Sequence, residues 1–280
     1  FQAEDGIRDA QESRGLGDVY KRQLLGLAFG LGLTYAGKKL AAREDDRVER
    51  ISKLLPGQNC GACGFGGCRD FASALVSAID GGEAPPLDAC KVVAEEARGK
   101  IAGILGIEVG ERKPLVAQVA CSGKSKRIAE YRGARECAAA DLVGDFLACE
   151  YGCIGFGDCA LACSFGAIEM KDGLPAIDRN KCTGCGACVE ACPRGVIELI
   201  PRDSKVWLRC RSPEPGKVVV VACEAGCIAC GLCAKACPVA AIKIENNLPR
   251  IDQDLCTACG KCVEACPRDV LSLLSSSETS

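Results

Sequence analysis

Apolar positions along this chain come in short stretches broken by glycine, proline and cysteine, and aromatic residues make up only 4% of it. Several small modules are expected rather than one large core. Phe71, Leu75, Val76 and Ile79 recur at helical spacing and predict an amphipathic helix, which Gly81, Gly82, Pro85 and Pro86 bring to an end. Val93, Ala97, Ile101 and Leu105 recur every fourth residue and predict a second helix within 92–105. Further on, AIEMKDGLPAIDRNKC (167–182) and AIKIENNLPRIDQDLC (241–256) each read as strand, turn, strand, with turns at Asp172-Gly173 and Asn246-Asn247.

The two hairpins are copies within a longer repeat. Adding 74 to Cys149, Cys153, Cys159, Cys163, Cys182, Cys185, Cys188 and Cys192 gives Cys223, Cys227, Cys233, Cys237, Cys256, Cys259, Cys262 and Cys266. The chain therefore holds one module twice, over 111–200 and 201–274, joined through residues 202–217. A tail from Ser275 is expected to be disordered.

The N-terminal end reads differently. Residues 1–23 are charged and aperiodic and look like translated sequencing-adapter read-through, so no fold is assigned to them. The uncharged run LLGLAFGLGLTYA (24–36) has 13 residues, where a membrane span needs about 20. It reads as the remaining end of a transmembrane anchor over 24–37, with a buried helix or a chance apolar run as the alternative. Lys38, Lys39 and Arg43 would then hold the following residues at the cytoplasmic side of the cell inner membrane. Residues 38–55, mixed in charge, read as a solvated linker before a small cysteine-bearing domain over 56–110.

Composition narrows the chemistry. There are 24 Cys and no His in 280 residues. This disfavours most zinc enzymes, haem proteins and Cys-His nucleophilic sites, which need imidazole. A secreted disulfide scaffold is normally far shorter. A net charge of -2 gives no sign of a nucleic-acid groove, so proteins and small redox carriers are the expected partners. With so little apolar bulk, bound metal must supply part of the folding energy.

Cys60, Cys63 and Cys68 lie in NCGACGFGGC, and Cys90 follows after a long return. Two thiolates at C-x2-C grip neighbouring corners of one centre, and the intervening glycines let the backbone bend closely around it. Structural zinc is the competing reading of such a pair. Three runs then read C-x2-C-x2-C-x3-C: Cys182, Cys185, Cys188 and Cys192; Cys227, Cys230, Cys233 and Cys237; Cys256, Cys259, Cys262 and Cys266, each followed by Pro.

These runs resemble the bacterial two-cluster ferredoxin, in which the fourth Cys serves the other cluster of the pair. The resemblance implies one [4Fe–4S] site from Cys227, Cys230, Cys233 and Cys266, and its partner from Cys256, Cys259, Cys262 and Cys237. In the earlier module it implies Cys182, Cys185, Cys188 and Cys163. The counterpart of Cys230 there is Phe156, so Cys153, Cys159 and Cys192 need another thiolate; Cys149 is nearest in sequence, and a three-iron cluster is the alternative. About five clusters follow. Cys121, Cys137, Cys210 and Cys223 are left over, either as a sixth site or as small apolar residues.

Taken with the apolar N-terminal run, NCGACGFGGC and ACEYGCIGFGDCALACSFGAI (148–168), the chain resembles the B subunit of the Rnf-type ion-translocating ferredoxin:NAD+ oxidoreductase complex over about residues 24–274. That resemblance implies an α+β electron carrier that takes electrons from reduced ferredoxin. Flavin-bearing partner subunits in the membrane would reduce NAD+ and export Na+ or H+. A soluble polyferredoxin subunit of a hydrogenase or other oxidoreductase, and a zinc-binding structural module, are the competing functions. No G-x-G-x-x-G after a strand, P-loop or acid–base pair is evident, so no catalytic residue is assigned.

Overall fold

The structure, a computed structural model, describes residues 16–40, 45–110 and 112–274. The expected disordered tail and the first fifteen residues lie outside the described residues. The chain divides into two compact units, Phe1–Asp46 and Arg47–Ser280.

The first unit holds helix α1 (Leu16–Leu40). Its 25 residues include the apolar run, but that run spans about 20 Å at 1.5 Å per residue, against a hydrocarbon core of about 30 Å. Leu24, Leu25, Leu27, Phe29, Leu31 and Leu33 all stand exposed. Among the described residues no helix is long and apolar enough to cross a membrane, so the expected anchor is not supported.

In the second unit, helices α2 (Asp46–Leu54), α3 (Cys68–Asp80) and α4 (Glu95–Leu105), with a short 3-10 turn at Leu87–Ala89, surround one apolar cluster. Ile51, Phe71, Leu75 and Ile101 are fully buried in it. The two periodic segments thus form helices as expected. Residues 46–55 do not form a solvated linker: Val48, Ile51 and Leu55 sit one turn apart and join the same core. Arg98 is 4% exposed and ties this domain together. Its guanidinium donates to Glu95 at 2.8 Å, to Asp88 at 2.8 Å and to the Gly110 carbonyl at 2.6 Å. Burial alone would lower its pKa, yet the bonds to Glu95 and Asp88 outweigh burial and the net shift is upward.

The remaining residues form the two copies, each built on two antiparallel strand pairs. In the first copy β2 (Ile168–Lys171) pairs with β3 (Leu174–Ile177), and β1 (Leu115–Val119) with β4 (Ile197–Pro201). In the second, β5 (Val206–Leu208) pairs with β8 (Leu271–Leu273), and β6 (Ile242–Glu245) with β7 (Leu248–Ile251). Both hairpin turns carry two successive residues at positive φ, Asp172-Gly173 and Asn246-Asn247, as a tight I′-like turn requires. Residues 202–217 are therefore not a simple joint, because β5 lies inside them and completes the second copy. Trp207 of β5 donates its indole N–H to the Val119 carbonyl of β1 at 2.7 Å, linking the copies through their equivalent strands.

The register exposes a second offset. Val119 faces Ile197 and Leu208 faces Leu271; Ile197 and Leu271 lie 74 residues apart, but Val119 and Leu208 lie 89 apart. Fifteen extra residues therefore lie between β1 and Cys149, since residues 122–148 number 27 where residues 211–222 number 12. The insertion carries helix α5 (Cys137–Val143).

Candidate metal centres

All 24 cysteines are free thiols, and they gather where glycine-rich loops turn sharply. The residue two past the first cysteine of each run, namely Gly155, Gly184, Ala229 and Ala258, has positive φ. That left-handed step lets the next thiol face the same hollow as the first. Short helices α6 (Asp158–Leu161), α7 (Ala187–Glu190), α9 (Leu232–Ala236) and α10 (Lys261–Glu264) then hold Cys159, Cys188, Cys233 and Cys262, all buried. Helix α8 (Gly216–Ala222) precedes the last two of these and leads into Cys223.

In the helical domain, Cys90 is buried with Cys63 and Cys68 packed against the same core. Burial raises its thiol pKa, and the neighbouring Cys63 and Cys68 raise it further. Cys60 opens the same loop, which Gly64 closes by donating its N–H to the Gly61 carbonyl at 2.8 Å. Asn59 accepts from the Cys68 N–H at 2.8 Å and so fixes the start of α3. Arg112 donates to the carbonyls of Cys90 and Val93 at 3.0 Å each, holding the returning segment.

In the second copy, Cys227, Cys230, Cys233 and Cys266 line one hollow. Burial lifts the Cys227 thiol to about 11, with Cys210, Cys233 and Cys266 adding to it. Cys262 lies beside Cys256 and Cys259, and Cys237 packs in the same apolar cluster. In the first copy, Cys188 is raised to about 12 by burial and by its neighbours Cys182, Cys185, Cys159 and Cys163.

The remaining hollow of the first copy is lined by Cys137, Cys153, Cys159 and Cys192. Cys149 does not reach it. It lies instead with Cys121, Cys210 and Cys223, whose thiols reinforce the rise to about 11 that burial causes. The structure does not bring Cys149, the thiol expected to stand in at Phe156, to this hollow; α5 brings Cys137 there instead. The Cys137 N–H donates to Asp158 at 2.8 Å, locking α5 to α6. Phe156 packs instead against Tyr131, with ring centroids 5.5 Å apart and planes tilted by 40°. Sequence spacing missed Cys137 because it sits in no chelating run. The fifteen-residue excess before Cys149 was the signal that could have pointed to it.

These surroundings fit iron–sulfur groups. The donor set is thiolate alone, and four thiols line each of two hollows. Backbone N–H groups point at sulfur, Ala167 to Cys163, Ala241 to Cys237, Val196 to Cys192 and Ala117 to Cys182, each at 3.3 Å. Donors of this kind tune the potential of a bound cluster.

Comparison with known proteins agrees with the repeat. The family model described as 4Fe-4S dicluster domain matches residues 148–196, 181–241 and 226–270, and one for a putative Fe-S cluster matches 55–92. The chain is 44% identical to the B subunit of the proton-translocating ferredoxin:NAD+ oxidoreductase complex of Clostridium ljungdahlii, over 83% of this chain and 82% of that protein. It belongs to the family of B subunits of ion-translocating oxidoreductase complexes. Other family members are the B subunit of the Na+-translocating ferredoxin:NAD+ oxidoreductase complex of Acetobacterium woodii, 42% identical over 82% of this chain and 69% of that one, and the B subunit of the ion-translocating oxidoreductase complex of Methanosarcina acetivorans, 39% identical over 82% and 87%. As a member of this family the chain is an iron–sulfur electron-transfer protein.

Proposed function

We propose that this protein takes electrons from reduced ferredoxin and relays them to flavin-bearing and membrane-embedded subunits of an ion-translocating complex at the cytoplasmic face of the cell inner membrane. Those partners reduce NAD+ and export an ion. The observation that supports this most directly is the repeated gathering of buried thiols around hollows with N–H groups aimed at sulfur. A [4Fe–4S] group supplies reversible one-electron chemistry at such a place.

Five sites follow. Site 1 uses Cys60, Cys63, Cys68 and Cys90. Site 2 uses Cys137, Cys153, Cys159 and Cys192, so no three-iron centre is needed there. Site 3 uses Cys163, Cys182, Cys185 and Cys188; site 4 uses Cys227, Cys230, Cys233 and Cys266; site 5 uses Cys237, Cys256, Cys259 and Cys262. Cys230 and Cys259 are the exposed thiols among these, which marks sites 4 and 5 as points where an electron can enter or leave.

The test is anaerobic titration of the full chain with reduced ferredoxin, followed by visible bleaching and EPR. Stepwise uptake of several electrons per chain is expected. A colourless protein carrying zinc and no acid-labile sulfide would sink the reading.

A further inference from the structure

Five sites account for 20 of the 24 cysteines, and the other four meet in one place. Cys121, Cys149, Cys210 and Cys223 line a hollow of about 270 Å³ between the two copies, partly open to solvent. They come from four separate loops, which is why no spacing rule finds them. Cys149 and Cys223 are equivalent under the 74-residue offset. Cys121 and Cys210 are equivalent under the 89-residue offset, each lying two residues past the paired strands β1 and β5. Each copy therefore contributes the same two thiols to one shared cavity.

The surroundings repeat in the same way. Arg194 donates to the carbonyls of Cys149 and Gly152 at 3.2 and 3.1 Å; Arg268 donates to those of Cys223 and Gly226 at 2.6 and 3.3 Å. The Cys153 N–H donates to Cys121 Sγ at 3.4 Å, and the Cys227 N–H to Cys210 Sγ at 3.3 Å. Gly123 adds a further donor to Cys121 Sγ at 3.3 Å. Contacts across the copies close the cavity: Ser122 Oγ donates to the Ala225 carbonyl at 3.1 Å, and Tyr151 OH to Glu214 at 3.3 Å. A cysteine serving as a small apolar residue fills its own space. These four instead ring a hollow, and two of them receive the same kind of N–H donor as the thiols of the other sites.

We propose that Cys121, Cys149, Cys210 and Cys223 hold a sixth [4Fe–4S] cluster that bridges the two copies. The inference rests on the iron–sulfur reading above. Its position gives it a role: Cys153 belongs to site 2 and Cys227 to site 4, and each is one hydrogen bond from a thiol of the central cavity. A one-electron centre there makes sites 3, 2, central, 4 and 5 a continuous line. Each hop oxidises one centre and reduces its neighbour, with no net chemistry.

The experiment is iron and acid-labile sulfide per chain, with Mössbauer speciation, on the anaerobically reconstituted full chain and on Cys149→Ser/Cys223→Ser and Cys210→Ser variants. The unaltered chain should carry about 24 iron and 24 sulfide, and each variant about four fewer of each. About 20 in the unaltered chain overturns the sixth centre while leaving the electron-transfer reading standing. About 24 in the variants likewise overturns it. Near-zero iron and sulfide in every protein overturns both.

Discussion

The two copies solve one problem by different means. In the second, site 4 draws Cys227, Cys230 and Cys233 from a single local run. In the first, Phe156 stands where the middle thiol would be, and Cys137 of α5, nearly twenty residues upstream, lines the hollow of proposed site 2 in its place. A cluster site therefore depends on where four sulfurs end up, not on the run that usually delivers them.

The largest expected effect separates the two sources of that thiol. Cys137→Ser should strip site 2 of about four iron or leave a three-iron EPR signal, while Cys149→Ser leaves site 2 intact; the reverse result would return Cys149 to site 2. Next, Phe156→Cys added to Cys137→Ala should restore the lost iron, because it rebuilds the regular run. If iron stays low, the loop around Phe156 is too committed to Tyr131 and Phe146 to turn back.

A smaller difference is expected between the arginine clamps. Arg194 is almost buried and also holds Asp141 of α5 at 2.6 Å, in addition to its two carbonyls. Arg194→Met should cost about 2–3 kcal/mol of resistance to urea and should speed loss of site 2. Arg268→Met, which loses two carbonyl contacts, should cost about 1–2 kcal/mol. Equal losses would mean that the Asp141 bond contributes nothing. The smallest effect lies in the turns. A Cβ at Gly155 would stand 2.7 Å from the Gly173 carbonyl oxygen, so Gly155→Ala should destabilise the first copy by about 1–2 kcal/mol. The matching Ala229, already at φ 55°, should gain about 0.5–1 kcal/mol on conversion to Gly. Rates of cluster loss in urea read both.

Much of this was legible in the sequence. Helix α3 and both hairpins follow from apolar spacing and from Asp-Gly and Asn-Asn turns, because local forces decide them. The runs that line proposed sites 4 and 5 show in the x2 and x3 spacing, and the resemblance to two-cluster ferredoxins implies how they are shared. The rest depends on tertiary placement. Helix α2 looks polar because Val48 and Ile51 are its only buried residues, and β5 is three residues long inside an apparent joint. Cys121 and Cys210 escape a search at offset 74 because the insertion shifts their own offset to 89. The expected anchor lacks support for a different reason: the apolar run fills only about half of α1, and no described helix is long and apolar enough to cross a membrane.

The exchange of the fourth cysteine also has a consequence for a chain emerging from the ribosome. Site 3 gains its last thiol at Cys188 and site 2 at Cys192; site 5 closes at Cys262 and site 4 at Cys266. In each copy both sites become complete within four residues of each other. At about 5–20 residues per second, that interval is roughly a second or less. A half-equipped copy thus exists only briefly during synthesis, and the machinery that delivers iron and sulfide meets each copy with both of its sites ready together.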